Sequence, residues 1–111
     1  MANRRYRDSD VPSVLQGDMP DDGEQVCYRC RRYGLMDFHH LLGKTTSKAF
    51  KKFQEDEGLW IWLCRPCHRY IHDTAQGHQQ WDKWKADSQK EFEKTRSREE
   101  WMKHAHKNYR D

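Results

Sequence analysis

Long apolar runs are missing from this sequence. The longest, Leu59–Leu63 (LWIWL), has five residues, whereas a helix needs about 20 to cross a bilayer, so no membrane span is expected. The opening MANRRYRDSD is charged and has no apolar segment behind it, unlike a secretory leader. The expected setting is therefore the cytoplasm. No internal repeat is found, and the 111 residues read as one small domain. Apolar residues are scarce throughout, 34% hydrophobic against 35% charged. A core so thin calls for a staple, either a metal or disulfides. No element that would read base edges is evident.

What is present is aromatic, charged and rich in metal ligands. Five Trp, five Tyr and four Phe supply large buried surfaces from few positions. The net charge of +3 is unevenly spread. Residues 1–26 carry three arginines against six acids, and the remainder carries 18 basic residues against 12 acids. That balance permits a polyanionic partner without requiring one.

Residues 1–24 lack hydrophobic periodicity and read as a flexible arm, with a short ordered patch around Val11–Leu15. Residues 25–111 read as the ordered domain, which includes all four cysteines, with a C-terminal helical extension. LMDFHHLL is expected to be a short strand running into a loop at Gly43. TTSKAFKKFQEDEG is expected to be a helix, capped by Thr46 or Ser47 and ended by Gly58. LWIWL is β-rich and follows that glycine, which predicts a second strand. Pro66 suits a first helical turn, so a helix is expected from about Arg65 to Asp73. Trp81, Trp84, Ser88 and Phe92 recur at helical spacing and predict an amphipathic helix whose aromatics pack on the core. Ser97 and Glu100 form a capping box for a last helix, through about His106.

The four cysteines form two C-x-x-C pairs, Cys27/Cys30 and Cys64/Cys67. In a reducing compartment such pairs read as metal ligands rather than disulfides, and a redox motif would need one pair only. Four thiolates suit one tetrahedral structural zinc. The second pair falls at a predicted helix N-terminus, where the positive end of the dipole favours thiolates.

The histidines form a second constellation. His68 and His72 lie four apart on the expected helix and share a face, which suits a bidentate metal site. A third ligand from a neighbouring strand would leave positions open for water and substrate. His39 and His40 are adjacent on an extended segment and point to opposite sides. One can bind metal while the other faces the water to be activated. His78, His104 and His106 match no ligand spacing and read as surface residues. Asp37 and Asp73 flank the cluster and read as exposed caps or turns, with orientation of an imidazole as the alternative.

The combination C-Y-R-C … D-F-H-H-L … L-C-R-P-C-H-R-Y-I-H, over Cys27–His72, resembles the HNH endonucleases of the ββα-metal group that carry a treble-clef zinc. The tail SREEWMKHAHKNY resembles the C-terminus of small HNH-like proteins of phages and prophages. The resemblance implies an α+β fold, a small treble-clef ββα-metal domain with zinc knuckles and C-terminal helices. It implies hydrolysis of DNA phosphodiester bonds, with His40 as general base. His39, His68 and His72 would hold one catalytic divalent metal (Mg, Mn, Ni, Co or Zn), beside a structural Zn2+ on Cys27, Cys30, Cys64 and Cys67. The partner would be double-stranded DNA with little base readout, in the cytoplasm of a bacterial host, with a phage protein as a further partner. Lys44, Lys48, Lys51, Lys52, Arg65 and Arg69, with Arg29, Arg31 and Arg32 at the first knuckle, are candidate phosphate contacts. One departure stands out. The family's middle Asn, which steadies the base histidine and its loop, would fall at Leu59. A backbone carbonyl, Asp56, Glu57 or Asn108 are the candidates to replace it. The alternative function is a non-catalytic zinc module that binds nucleic acid or protein, as a phage accessory factor.

Overall fold

A strand buried on both faces organises the molecule. In the computed structural model, which describes residues 11–18, 23–43 and 46–110, the strand β4 (Trp60–Leu63) pairs antiparallel with β3 (Asp37–His40). The register sets His39 opposite Ile61 and His40 opposite Trp60. Directly opposed residues share a face of the sheet. Asp37 and His39 therefore lie on the side of Ile61 and Leu63, while Phe38 and His40 lie on the side of Trp60 and Trp62.

The Ile61 side meets the main core. Ile61, Leu63 and Leu59 pack there with Leu41, Phe53, Ile71, Trp84, Phe92 and Trp101, all buried. On the other side the Phe38 ring lies tilted to Trp60 and edge-on to Trp62, with centroids 5.5 and 5.1 Å apart. Residues 11–18 fasten onto this same strand. Ser13 Oγ donates to the Trp60 carbonyl (2.5 Å), the Trp62 amide donates to Gln16 Oε1 (2.9 Å), and the Val14 amide donates to the Gly58 carbonyl (2.9 Å). Part of the expected arm is thus bonded to the domain, and the patch around Val11–Leu15 is closed by Ser13 and Gly17, which exchange backbone hydrogen bonds (3.0 and 2.9 Å). Residues 1–10 and 19–22 of that arm lie outside the described residues.

The first C-x-x-C sits in a tight turn between two-residue strands, β1 (Gln25–Val26) and β2 (Tyr33–Gly34), which pair antiparallel. Helix α1 (Lys48–Asp56) links β3 to β4, and Ser47 caps it by accepting from the Phe50 amide. Helix α2 (Arg65–Asp73) follows β4, with Pro66 in its first turn as expected. Helix α3 (Ala75–Phe92) starts one residue later, capped by Thr74. Helix α4 (Arg98–Ala105) is capped by Ser97, which accepts from the Glu100 amide, and ends at His106 in the left-handed conformation (φ 63°). The result is a small compact α+β fold with two small antiparallel sheets and four helices among the described residues. No described helix is long and apolar enough to cross a membrane.

The expected first strand is shorter than predicted. Leu35 is 80% exposed and Leu41 turns away from the strand into the core. The apolar letters of LMDFHHLL thus belong to three local structures rather than one.

Candidate metal centres

Cys27, Cys30, Cys64 and Cys67 converge with their sulfurs all within 4.8 Å of one another. Two short segments do this. The turn after β1 is closed by the Arg31 amide on the Cys27 carbonyl (3.0 Å), with Arg31 in the left-handed region (φ 68°). Cys64 is the N-cap of α2, and Cys67 lies one turn in. Cys30 and Cys64 stand 3.7 Å apart at sulfur. A zinc tetrahedron with bonds of about 2.3 Å has edges of about 3.8 Å, so the set fits the ion. The four groups do not ionise alike. Burial raises the Cys27 thiol, but backbone amides of Cys30, Cys64 and Arg29 outweigh it and bring the group down to about 7. Burial raises Cys64, and pushes Cys67 up to about 12 despite the Arg29 guanidinium 3.6 Å from its sulfur. Crowded thiolates repel, and a bound divalent cation removes that conflict.

The second cluster is built from one strand and one helix. His39 projects from β3 toward α2, where His68 and His72 share a face, and their ligand nitrogens all lie within 4.8 Å of one another. The ring centroids of His39 stand 5.2 Å from His68 and 5.6 Å from His72, and those of His68 and His72 are 4.8 Å apart. On α2 the alternate positions Cys67 and Ile71 are buried. One helix thus presents sulfur and core on one face and imidazole on the next.

His39 is 4% exposed, and its Nε2 is buried with no hydrogen-bond partner. A buried polar atom without a partner is costly, and a metal ion is one way to satisfy it. Burial, then the neighbouring His68, His72, His40 and Lys85, hold the His39 imidazole well below its ordinary pKa. Burial and His68 lower His72 as well. Both rings are therefore neutral near pH 7, the form that binds metal. His68 Nδ1 meets Asp37 Oδ2 at 3.0 Å, which leaves its Nε2 for the cluster. Asp37 also accepts twice from Arg65, at 2.8 and 3.2 Å. Arg65 first and His68 second hold its carboxyl below the usual range, against the effect of burial. Asp37 is thus an orienting carboxylate rather than an exposed turn residue, and Asp73 is exposed at the end of α2.

Trp81 closes one side of this cluster. Its ring stands 4.7 Å from His39 and 4.9 Å from His72, and its Nε1 donates to the Leu41 carbonyl (2.6 Å). The helical spacing of α3 predicts Trp81 as a packing residue, and what it packs against includes two of the candidate ligands.

His40 stands apart from the three. It lies on the opposite face of β3, edge-on to Phe38 (5.0 Å), and its Nε2 meets Glu55 Oε2 at 3.0 Å. Leu59 is fully buried, and its carbonyl accepts from the Leu41 amide. None of the three side chains expected to stand in for an Asn there reaches His40. Asp56 pairs with Lys52, Glu57 with Arg96, and Asn108 accepts from Gln89 at the far end of α3. Glu55 escapes a sequence reading because it is one of three acids in QEDEG. Its one local signal is a carboxylate at the negative end of a helix, where the dipole disfavours it.

The basic residues divide. Lys48, Lys51, Lys52, Arg65 and Arg69 are exposed. Lys52 and Arg65 are engaged by Asp56 and Asp37, while Lys51 stands 4.0 Å from Glu55. Arg29 is exposed as well, with its guanidinium over the Tyr70 ring (3.9 Å) and bonded to Gln80. Lys44 lies outside the described residues. His78 donates to the His72 carbonyl (2.7 Å), and His104 stacks on Phe53 (4.7 Å), so neither is a bare surface group.

Comparison of the chain with protein-family models, with curated proteins and with solved structures finds no match.

Proposed function

We propose that the chain is a metal-dependent endonuclease of the HNH type, a treble-clef ββα-metal domain that hydrolyses phosphodiester bonds of double-stranded DNA. The observation that carries this reading is the His39, His68 and His72 cluster. It offers three protein ligands, one short of a closed tetrahedral shell, as sites that bind a reacting group do. The order strand, strand, helix in β3, β4 and α2 puts those ligands on the first strand and the helix, with the cysteine cluster at the base of the same helix.

His39, His68 and His72 would hold one divalent cation, which would supply Lewis-acid stabilisation of negative charge developing on the phosphate. Imidazole ligands suit Mn, Ni, Co or Zn, and Mg is the abundant alternative. Asp37 holds the His68 ring with its Nε2 toward the other two imidazoles, where it would meet the cation, and Trp81 covers one side of the cluster. β3 has β4 as its partner strand, so His39 and His40 project to either side of an edge strand. A phosphodiester lying across that edge would meet the cation on one side and the His40 imidazole on the other. His40 takes the proton from the attacking water, a role for which imidazole is the best suited side chain near neutral pH. Arg69 and Lys48 supply sequence-independent phosphate contacts.

The test uses supercoiled plasmid with the zinc-loaded protein in Mg, Mn, Ni, Co or Zn, beside His40→Ala and His72→Ala. His72 is exposed, so its removal spares the core. The wild type is expected to nick the plasmid, and each variant to lose about 10²-fold or more in rate. A wild type that leaves the plasmid intact in every metal overturns the reading. The position of His40 outside the imidazole cluster favours a second reading, a non-catalytic zinc module. That reading predicts a gel shift of DNA, or binding of a phage protein, with no cleavage.

A further inference from the structure

Glu55 breaks two local rules at once. It is a carboxylate 7% exposed, and it lies in the last turn of α1, which holds no basic residue. Helix dipole and burial both disfavour it there. Among the described residues its carboxylate meets His40 Nε2 at 3.0 Å and, more distantly, Lys51 Nζ at 4.0 Å. An ionised carboxylate offers only lone pairs, so against it the proton in the 3.0 Å contact is the histidine's.

The neighbouring Gln54 is fully buried and works on the adjoining backbone. Its Oε1 accepts from the Leu42 amide (2.8 Å) and its Nε2 donates to the Gly43 carbonyl (3.1 Å). The Gly43 amide in turn donates to the His40 carbonyl (3.1 Å). The end of α1 therefore holds both the ring of His40 and the turn that follows it. Phe38, edge-on at 5.0 Å, limits the ring from the strand side.

We infer that Glu55 is the positioning residue of His40: it fixes the imidazole as the Nε2–H tautomer and leaves the Nδ1 lone pair as the atom that accepts a proton. Gln54 holds the backbone on which that ring is mounted. The two residues do from the helix what a polar residue at the Leu59 position would do from the strand. A carboxylate behind a histidine sets tautomer and orientation, and it stabilises the imidazolium once the proton is taken. The catalytic part of this inference rests on the nuclease reading, whereas the tautomer does not.

The experiment has two arms on the zinc-loaded full chain. The first records the ring nitrogens of His40 by 15N NMR, assigned with a His40→Gln variant. The wild type is expected to show protonated Nε2 and bare Nδ1, and Glu55→Gln to show a mixture or the reverse. A wild-type His40 protonated at Nδ1 overturns the assignment. The second arm measures plasmid cleavage by Glu55→Gln and Glu55→Asp, with zinc content and melting midpoint as checks on folding. Glu55→Gln is expected to lose about 10²-fold in kcat with KM for DNA unchanged, and Glu55→Asp to recover part of that loss. Wild-type kcat in Glu55→Gln overturns the positioning role. Should the wild type cleave nothing in any metal, the nuclease reading falls, and the tautomer arm alone decides what Glu55 does to His40.

Discussion

Glu93 gathers the C-terminal tail onto α3. Its Oε2 accepts from Gln89 Nε2 (2.8 Å) and Arg98 Nε (3.0 Å), and its Oε1 accepts from Arg98 Nη2 (3.3 Å) and from Arg110 Nη1. The side chain is 11% exposed. Arg98 first, then Gln89 and Arg110, hold the carboxyl down at about 2 against the effect of burial. A folded pKa below the unfolded value means that protonation favours unfolding. The contribution of Glu93 is therefore full above about pH 4.5, near the ordinary range of Glu, and is lost as the pH falls through about 2. Glu93→Gln is expected to lower stability by about 1–2 kcal/mol at pH 7, discounted because both arginines are partly exposed. Denaturant titrations of the two zinc-loaded proteins at pH 7, where the cysteine cluster keeps its metal, check the loss at low and at high salt. A Glu93→Gln protein as stable as wild type at low salt, or a gap that salt leaves unchanged, would rule out the charge as its source.

Helices α2 and α3 cross through one glycine. A Cβ on Gly77 would stand 1.9 Å from the Tyr70 carbonyl oxygen and 2.6 Å from the Ile71 Cα, both backbone atoms that no rotamer change can move. Alanine at a helical glycine would gain about 1 kcal/mol in propensity, but over-packing of this severity costs about 3 kcal/mol, so the overlap wins. Gly77→Ala is thus expected to lower the denaturation midpoint, and a midpoint at or above wild type would mean that the crossing has room for a methyl group. This crossing also decides where Trp81 sits, which explains what a sequence reading sees of the elements and what it misses. The bounds of α2 are legible because Cys64, Pro66 and the i, i+4 pairs are local signals, and the caps Ser47 and Ser97 are legible for the same reason. The alternation of His39 and His40 follows from strand geometry alone. β1 and β2 are two residues each and too short for any periodicity. The contacts of Glu55 with His40 and of Asp37 with His68 join residues 15 and 31 positions apart. They depend on how α1 and α2 seat against β3, and no spacing rule contains that.

Over the whole molecule, two clusters share α2 and differ in what each holds together. The cysteines join the β1–β2 turn to the start of α2, and so enclose β2, β3, α1 and β4 in one loop. The histidines join β3 to α2, which already meet around the core that holds Leu41, Ile61 and Ile71. Loss of the first cluster should therefore cost the fold, and loss of the second should cost only metal. Structural zinc in small domains contributes about 10–16 kcal/mol of apparent binding energy at pH 7, while a domain's net stability is about 5–15 kcal/mol. With 34% of its residues hydrophobic, this chain has little core in reserve. Chelation, or Cys64→Ser, is expected to abolish the cooperative thermal transition and most of the helical circular dichroism, with recovery on added zinc only where all four cysteines remain. His72→Ala is expected to keep the transition and one bound zinc per chain. Zinc stoichiometry and dichroism on the same samples separate the two sites. A Cys64→Ser protein that melts like wild type would remove the cysteine cluster from the fold's support. A His72→Ala protein that unfolds would mean that the imidazole cluster, too, is structural, and would weaken the case for chemistry there.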